Sequence, residues 1–331
     1  MRTALLDGGV SVDVQLGADE LRLAMRRDAL VGLSARPKWM PPVWFYDDRG
    51  SALYEQITRL PEYYPFRTER ALLRSAAGEI AGAARSEVLV ELGSGTSEKT
   101  HVLLDAMAGG PAGLSGYVAF DVSEATLRSA AATVSDEFGI GVHAIVGDFH
   151  SHLDAIPDVG RPRLVAFLGS TIGNLDPEQR ATFLGGVGRL LLPDDRFLLA
   201  TDLVKPVERL VAAYDDAAGV TGEFNRNLLH VLNRELGATF DPSRFAHVAR
   251  WNAEQSWIEM RLRARGAMGV VVRALGMRVD FASGEEMRTE ISAKFTPDRV
   301  RSELAAAGLA VVDTWTDPAD DYLLTLARPQ A

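Results

Sequence analysis

The stretch Val88-Leu89-Val90-Glu91-Leu92-Gly93-Ser94-Gly95-Thr96 runs an apolar segment of strand length into a Gly-x-Gly turn, with a helical pattern following from Lys99. A buried strand that ends this way lets backbone approach a ligand with no Cβ in the way. The neighbouring sequence alternates. On the amino side the spacing predicts a helix over 70–84. On the carboxyl side it predicts a helix over 99–107, a strand over 117–122, a helix over 124–138 and strands over 143–146 and 163–168. A helix opened by Asp176-Pro177-Glu178 and a strand over 196–202 complete the series. Helix and strand in turn predict a parallel sheet covered on both faces.

Farther out, residues 18–33 place Leu21, Met25, Leu30 and Leu33 near helical spacing, and Pro37, Pro41 and Pro42 stop that amphipathic helix. Past Lys205-Pro206 the alternation breaks. Two helical stretches, one reaching Gly219 and one over 224–236, lead into strands over 257–263 and 277–281, the pattern of an inserted domain. The sheet pattern resumes at Thr296-Pro297, a cap followed by proline at the first helical position, and closes in two strands around 313–321. The expected organisation is one domain of 66–204 with 294–331 and a second of 14–65 with 205–293.

At 331 residues the chain exceeds one typical domain of about 150. Hydrophobic residues at 47% and charged residues at 24% are those of a globular protein, and no segment reaches the roughly 20 apolar residues of a membrane span. The apolar run before Asp7 is too short for a secretory signal, so a cytoplasmic protein is expected. The absence of cysteine excludes disulfides, thiolate nucleophiles and cysteine-ligated metals. A net charge of -10 argues against a nucleic-acid partner. A monomer acting on a small molecule is the expectation.

A dinucleotide fingerprint would want a third glycine at position 98, where Glu98 stands, and Glu91 precedes the turn. Negative charge there repels a pyrophosphate and suits the ammonium and sulfonium groups of S-adenosylmethionine. Asp121 ends the next strand, where an acid accepts hydrogen bonds from ribose hydroxyls. Asp148-Phe149, after the following strand, adds an acid for an adenine amino group and a ring for its face. Each of these has a plain alternative as a turn or a helix cap, but three strand ends in register favour the cofactor. His150 and His152 have no third ligand nearby and are read as surface residues, with no metal site. The fold expected is α/β, a class I (Rossmann-type) methyltransferase sheet with a second, smaller α+β substrate domain.

Four blocks, Glu91 to Thr100, Phe167 to Asn174, Leu60 to Pro65 and Thr289 to Ser292, resemble the histidine-specific methyltransferases that make hercynine for ergothioneine biosynthesis. The likeness runs from about residue 20 to the end of the chain. It implies three methyl transfers from S-adenosylmethionine to the α-amino group of L-histidine. It also implies that Gly93, Lys99, Asp121, Asp148 and Phe149 contact the cofactor, with Tyr46 helping to close that site. Tyr63, Gly169, Asn174, Tyr214, Met260, Glu290 and Ser292 fall where the family contacts histidine.

Those residue types suit the task. A neutral imidazole has one donor and one acceptor nitrogen, and Glu290 and Ser292, two apart in a predicted strand, share a face and offer an acceptor and a donor. Asn174, at the carboxyl edge of the sheet, and Tyr214, on a helix of the inserted domain, offer donors that would position a substrate carboxylate. Tyr63 lies in a proline-stiffened aromatic segment, and Met260 shares a strand face with Ile258, Leu262 and Ala264, where core packing is the plain alternative. No general base is assigned. The alternatives are a methyltransferase for another small amine and a protein that binds S-adenosylmethionine without turnover.

Overall fold

A computed structural model describes residues 8–95 and 99–330. Glu98 and the amino terminus up to Asp7, on which two of the expectations rest, lie outside the described residues. The chain forms two compact units, one made of the chain up to Gly17, Arg67–Leu203 and everything from Phe295 on, the other of Ala18–Phe66 and Val204–Lys294.

The first unit is built on an eight-stranded sheet. Its strands are β1 (Val10–Val14), β3 (Val88–Leu92), β4 (Gly116–Asp121), β5 (Gly141–Val146), β6 (Arg163–Phe167), β7 (Arg196–Asp202), β13 (Leu309–Thr316) and β14 (Tyr322–Pro329). Their order is β1-β5-β4-β3-β6-β7-β14-β13, parallel from β1 to β7, with β14 antiparallel to β7 and β13 antiparallel to β14. The sheet is therefore the expected Rossmann-type methyltransferase sheet with its closing hairpin, extended at one edge by β1. Every residue of β3 is buried, as helices on both faces require. The helices are α3 (Tyr64–Ala84), α4 (Thr100–Ala108), α5 (Glu124–Phe138), α6 (Pro177–Leu190) and α9 (Pro297–Ala306). Strand order reverses at β3, flanked by β4 on one side and β6 on the other, and a ligand of such a sheet sits beyond the carboxyl ends at that reversal.

The second unit contains β2 (Lys38–Trp39), β8 (Phe245–Asn252), β9 (Trp257–Ala264) and β12 (Glu286–Ala293), ordered β2-β12-β9-β8, and a hairpin of β10 (Met268–Val272) and β11 (Met277–Phe281). Its helices are α1 (Ala18–Ser34), α2 (Asp48–Thr58), α7 (Val207–Ala212) and α8 (Val220–Leu236). The core joins Leu228, Leu229 and Leu232 of α8 to Phe245, Ile258, Met260 and Leu262 of the sheet.

Among the boundaries that differ from the sequence reading, α7 ends at Ala212, short of Gly219, which leaves Tyr214 in the turn beyond the helix. Helix α3 begins at Tyr64, six residues before 70, because Pro65 sits in the first turn, where its missing N–H costs nothing. Helix α8 begins at Val220, after Gly219 in the left-handed region at φ 76°. Strand β12 carries a bulge between Arg288 and Glu290, so Thr289 is an extra residue in the ladder.

Candidate active site

In the first unit the glycine turn leaves β3 with Gly93 at φ 75° and Gly95 at φ 49°, a region that disfavours side chains. The Gly93 and Ser94 amides donate to the Phe120 carbonyl at 2.8 and 3.1 Å. A Cβ at Gly93 would have no heavy atom within 4 Å, so open space lies beside the loop. Asp121, at the end of β4, accepts from the Gly95 amide at 3.0 Å with one oxygen and from the Ser123 amide at 2.9 Å with the other. Burial raises its pKa. The Val122 amide also hydrogen-bonds this carboxylate.

Glu91 does not face the turn as a free anion. Its buried carboxylate accepts from the Thr100 hydroxyl and from the Tyr117 phenol at 3.0 Å, and burial pushes its pKa up to about 7. The negative charge expected of it is thus partly quenched at neutral pH, because desolvation outweighs those two hydrogen bonds.

After β5, Asp148 accepts from the His150 amide at 2.9 Å, and the Asp148 amide donates to His152 Nδ1 at 3.1 Å. His152 is half-buried and holds the Asp148 backbone, which corrects its reading as a surface residue. The half-buried Phe149 ring packs edge-on to Phe167 and Phe183, at 5.3 and 5.6 Å. It lines a pocket of about 350 Å³ with His150, Asp154, Gln179 and Arg189.

Beyond β6, Gly169 stands at φ 75° and Ser170 at φ 52°. The Ser170 hydroxyl accepts from the Asp202 amide at 2.9 Å, which holds the strained turn. Asn174 ends a short 3-10 helix, Thr171–Asn174, and the cap of α6 is Asp176, which forms a reciprocal capping box with Gln179. Glu69 of α3, unforeseen from sequence, ties this turn to α4. One of its carboxylate oxygens accepts from the Gly169 amide and the other from Lys99 Nζ, both at 2.5 Å.

The second unit gathers the rest. Tyr63 stacks edge-on to Tyr214 at 6.1 Å and to Tyr54 at 6.4 Å, and Tyr54 contacts Tyr46 at 5.7 Å. Phe224 closes the group against Tyr46 and Tyr54 at 5.5 and 6.2 Å. Burial, with Tyr54, Tyr214, Tyr46 and Glu290 nearby, raises the Tyr63 phenol well above its usual range. Glu290 and Ser292 follow the bulge on β12, with Met260 directly across from Glu290 on β9 and 2% exposed, a core residue. The Tyr214 hydroxyl lies 2.7 Å from Ser292 Oγ, and Lys294 Nζ donates to both oxygens at 2.9 Å.

Tyr214 is also held through its backbone. Its carbonyl can only accept, so His247 Nε2 donates to it at 2.7 Å and His247 Nδ1 accepts from the Asn225 amide at 2.8 Å. Asn225 in turn accepts from Thr289, the bulged residue, at 2.7 Å. Burial lowers the His247 pKa, which keeps this neutral tautomer. Tyr54, Phe224, Asn225, His247 and Lys294 were not singled out in the sequence. For Lys294 a signal existed, since it continues the two-residue period of Glu290 and Ser292.

The glycine turn fits S-adenosylmethionine. Ser94 Oγ is buried with no hydrogen-bond partner among the described residues, beside the open space at Gly93. Among the described residues no group of acids and histidines could hold a metal ion, and no helix is long and apolar enough to cross a membrane.

A family profile described as a histidine-specific, SAM-dependent methyltransferase matches residues 25–329. The histidine N-alpha-methyltransferase of Mycolicibacterium smegmatis is 58% identical over 94% of this chain and 97% of its own length. That of Mycobacterium tuberculosis is 54% identical over 96% of this chain and 99% of its own. Ergothioneine biosynthesis protein 1 of Neurospora crassa is 28% identical over 92% of this chain, which matches 35% of that longer protein.

Proposed function

The chain belongs to the histidine-specific, S-adenosylmethionine-dependent methyltransferases, and from that premise we propose how its residues divide the work of methylating the α-amino group of L-histidine. It is an N-methyltransferase, and its reaction serves ergothioneine biosynthesis, with histidine trimethylbetaine as the product of three transfers. The first unit serves as the cofactor domain, through Gly93, Lys99, Asp121, Asp148 and Phe149. The second serves as the substrate domain, through Tyr63, Tyr214, Met260, Glu290 and Ser292, with Gly169 and Asn174 contributed by the turn after β6. Tyr46, which packs against Tyr54 and Phe224, keeps the part of helping to close the cofactor site.

The bound cofactor supplies a methyl group already activated as a sulfonium, so the protein's task is alignment. Asn174 and Tyr214 orient the substrate carboxylate, and Glu290 and Ser292 fix the imidazole. A free α-amine has a pKa near 8, so an appreciable fraction is neutral at pH 7 and no strong base is needed. Tyr63 cannot act as one, because burial holds it as a phenol. The rings of Tyr46, Tyr54, Tyr63 and Phe224 suit an amine that ends as a fixed cation, an interaction worth about 0.5–2 kcal/mol.

The observation that carries the assignment is Glu290 and Ser292 on one strand, with Tyr214 bonded to Ser292 at 2.7 Å. Purified protein incubated with S-adenosylmethionine and each amino acid in turn should methylate histidine alone. Transfer to another amine and none to histidine would overturn the assignment. Glu290→Ala should raise the histidine KM by at least about tenfold while the cofactor Kd stays within about twofold, because truncation leaves a ring N–H unpaired. Equal loss of both would make Glu290 structural. A cytoplasmic monomer without nucleic-acid or membrane partners completes the proposal, supported by the acidic composition, and gel filtration at the mass of one chain tests the monomer.

A further inference from the structure

Tyr214 lies in the turn after α7, at a helix end, where carbonyls run out of partners along the chain. Its carbonyl is met from β8, by His247 Nε2 at 2.7 Å. The opposite ring nitrogen, Nδ1, lies 2.8 Å from Asn225 Nδ2 on α8. That amide nitrogen also lies 3.1 Å from the Arg261 carbonyl on β9, while Asn225 Oδ1 accepts from the Thr289 hydroxyl at 2.7 Å. A carbonyl can only accept, so the Arg261 contact fixes which end of the Asn225 amide carries protons. Those protons make His247 Nδ1 an acceptor, and the ring proton therefore stands on Nε2, facing Tyr214. The two carbonyls at the ends of the relay thus require the same neutral tautomer. Burial lowers the His247 pKa, and Arg226 adds to this, against the opposing pull of the Tyr214 carbonyl, Asp215 and Asp216.

We propose that His247 is a positioning residue for the substrate: its Nε2–H sets the place of Tyr214, and thereby of the phenol that meets the carboxylate of histidine. The inference rests on the reading that Tyr214 orients that carboxylate. Tyr214 is 7% exposed, so a carbonyl that loses this donor is kept from water, and the turn must shift to satisfy it. On the far side of the turn, Asp216 accepts from the first two amides of α8, Val220 and Thr221, at 2.9 and 2.8 Å. His247 supplies the matching hold on the α7 side. The ring acts without touching the ligand, and its effect falls on one end of it, the carboxylate.

Two substitutions divide the ring. His247→Gln places an amide NH2 where Nε2 stands and keeps the bond to Tyr214, whereas His247→Asn places an amide oxygen where Nδ1 stands and keeps only the bond to Asn225. Calorimetry on the S-adenosylhomocysteine complex, with histidine and with histamine, which lacks the carboxylate, reads the two ends of the ligand separately. His247→Asn should raise the histidine Kd at least about tenfold and the histamine Kd less than about threefold, since a hydrogen bond to a charged group is what is lost. His247→Gln should keep both within about threefold of wild type, and neither variant should move the S-adenosylhomocysteine Kd by more than about twofold. In a Tyr214→Phe background, His247→Asn should weaken histidine no further, since the ring acts through the phenol. Should His247→Asn fail to fold by circular dichroism, His247→Met, which fills the space and donates to nothing, carries the same comparisons. Equal losses in the two variants, equal losses for the two ligands, or additivity with Tyr214→Phe would make His247 a packing residue and overturn the inference. A Tyr214→Phe single variant that binds histidine as tightly as wild type would instead refute the carboxylate reading beneath it.

Discussion

Glu91 shows how burial rewrites what a residue type promises. Its place before the glycine turn reads as a negative charge, yet it is 3% exposed, and its pKa rises from 4.5 to about 7. A raised carboxylate pKa means the folded state favours the protonated form. That contribution to stability is complete below pH 4.5 and is lost as pH rises through about 7. Over the whole interval it amounts to about 3 kcal/mol. Glutamine keeps an acceptor for Thr100 and Tyr117 without a charge to desolvate. Glu91→Gln should therefore match the wild type in urea denaturation at pH 4.5 and exceed it by about 2–3 kcal/mol at pH 8. A constant difference across that range would show that Glu91 does not titrate in the fold. Neither this shift nor the Asn225–His247–Tyr214 relay is readable from sequence, since both depend on partners distant along the chain.

Among elements, those with strong periodicity were legible. Helix α5 has the predicted bounds, β3 has the predicted span, and Asp176-Pro177 and Thr296-Pro297 open α6 and α9 as their cap chemistry requires. The missed elements lack such a pattern. Strand β2 is two residues long, β1 lies at the sheet edge with both end residues exposed, and α2 carries Gly50 near its start. Helix α3 was legible as a helix, but its function was not, because Glu69 works through residues on other elements. Burial at 1% exposure leaves Glu69 dependent on Lys99 Nζ and the Gly169 amide. Glu69→Gln preserves size but turns an amide NH2 toward an ammonium or an amide N–H. It should cost about 2–3 kcal/mol in denaturant unfolding and weaken S-adenosylhomocysteine binding, with Lys99→Met in the same chain recovering part of the stability. Full additivity of the two changes would show that the pair is not coupled.

At the scale of the molecule, the break in alternation near Lys205 marked the inserted segment, and each unit holds its own apolar cluster. What the sequence could not show is how side chains far apart in the chain assemble: Tyr46, Tyr54, Tyr63, Tyr214 and Phe224 form one aromatic group from three separate stretches. The proposed division of labour makes the units respond differently to ligands. A ligand that binds only the native state stabilises it by about 2.7 kcal/mol at a hundred times its Kd, and backbone amides at the contact are protected most. S-adenosylhomocysteine should slow amide exchange chiefly in the loops after β3, β4 and β5. Histidine added to that complex should slow it further in β12 and around Tyr214, with the Thr289 bulge as the most sensitive point, because its hydrogen bonds to Asn225 and the Met260 carbonyl hold the strand that carries Glu290 and Ser292. Protection by histidine confined to the first unit would place substrate recognition on the cofactor sheet and refute the division.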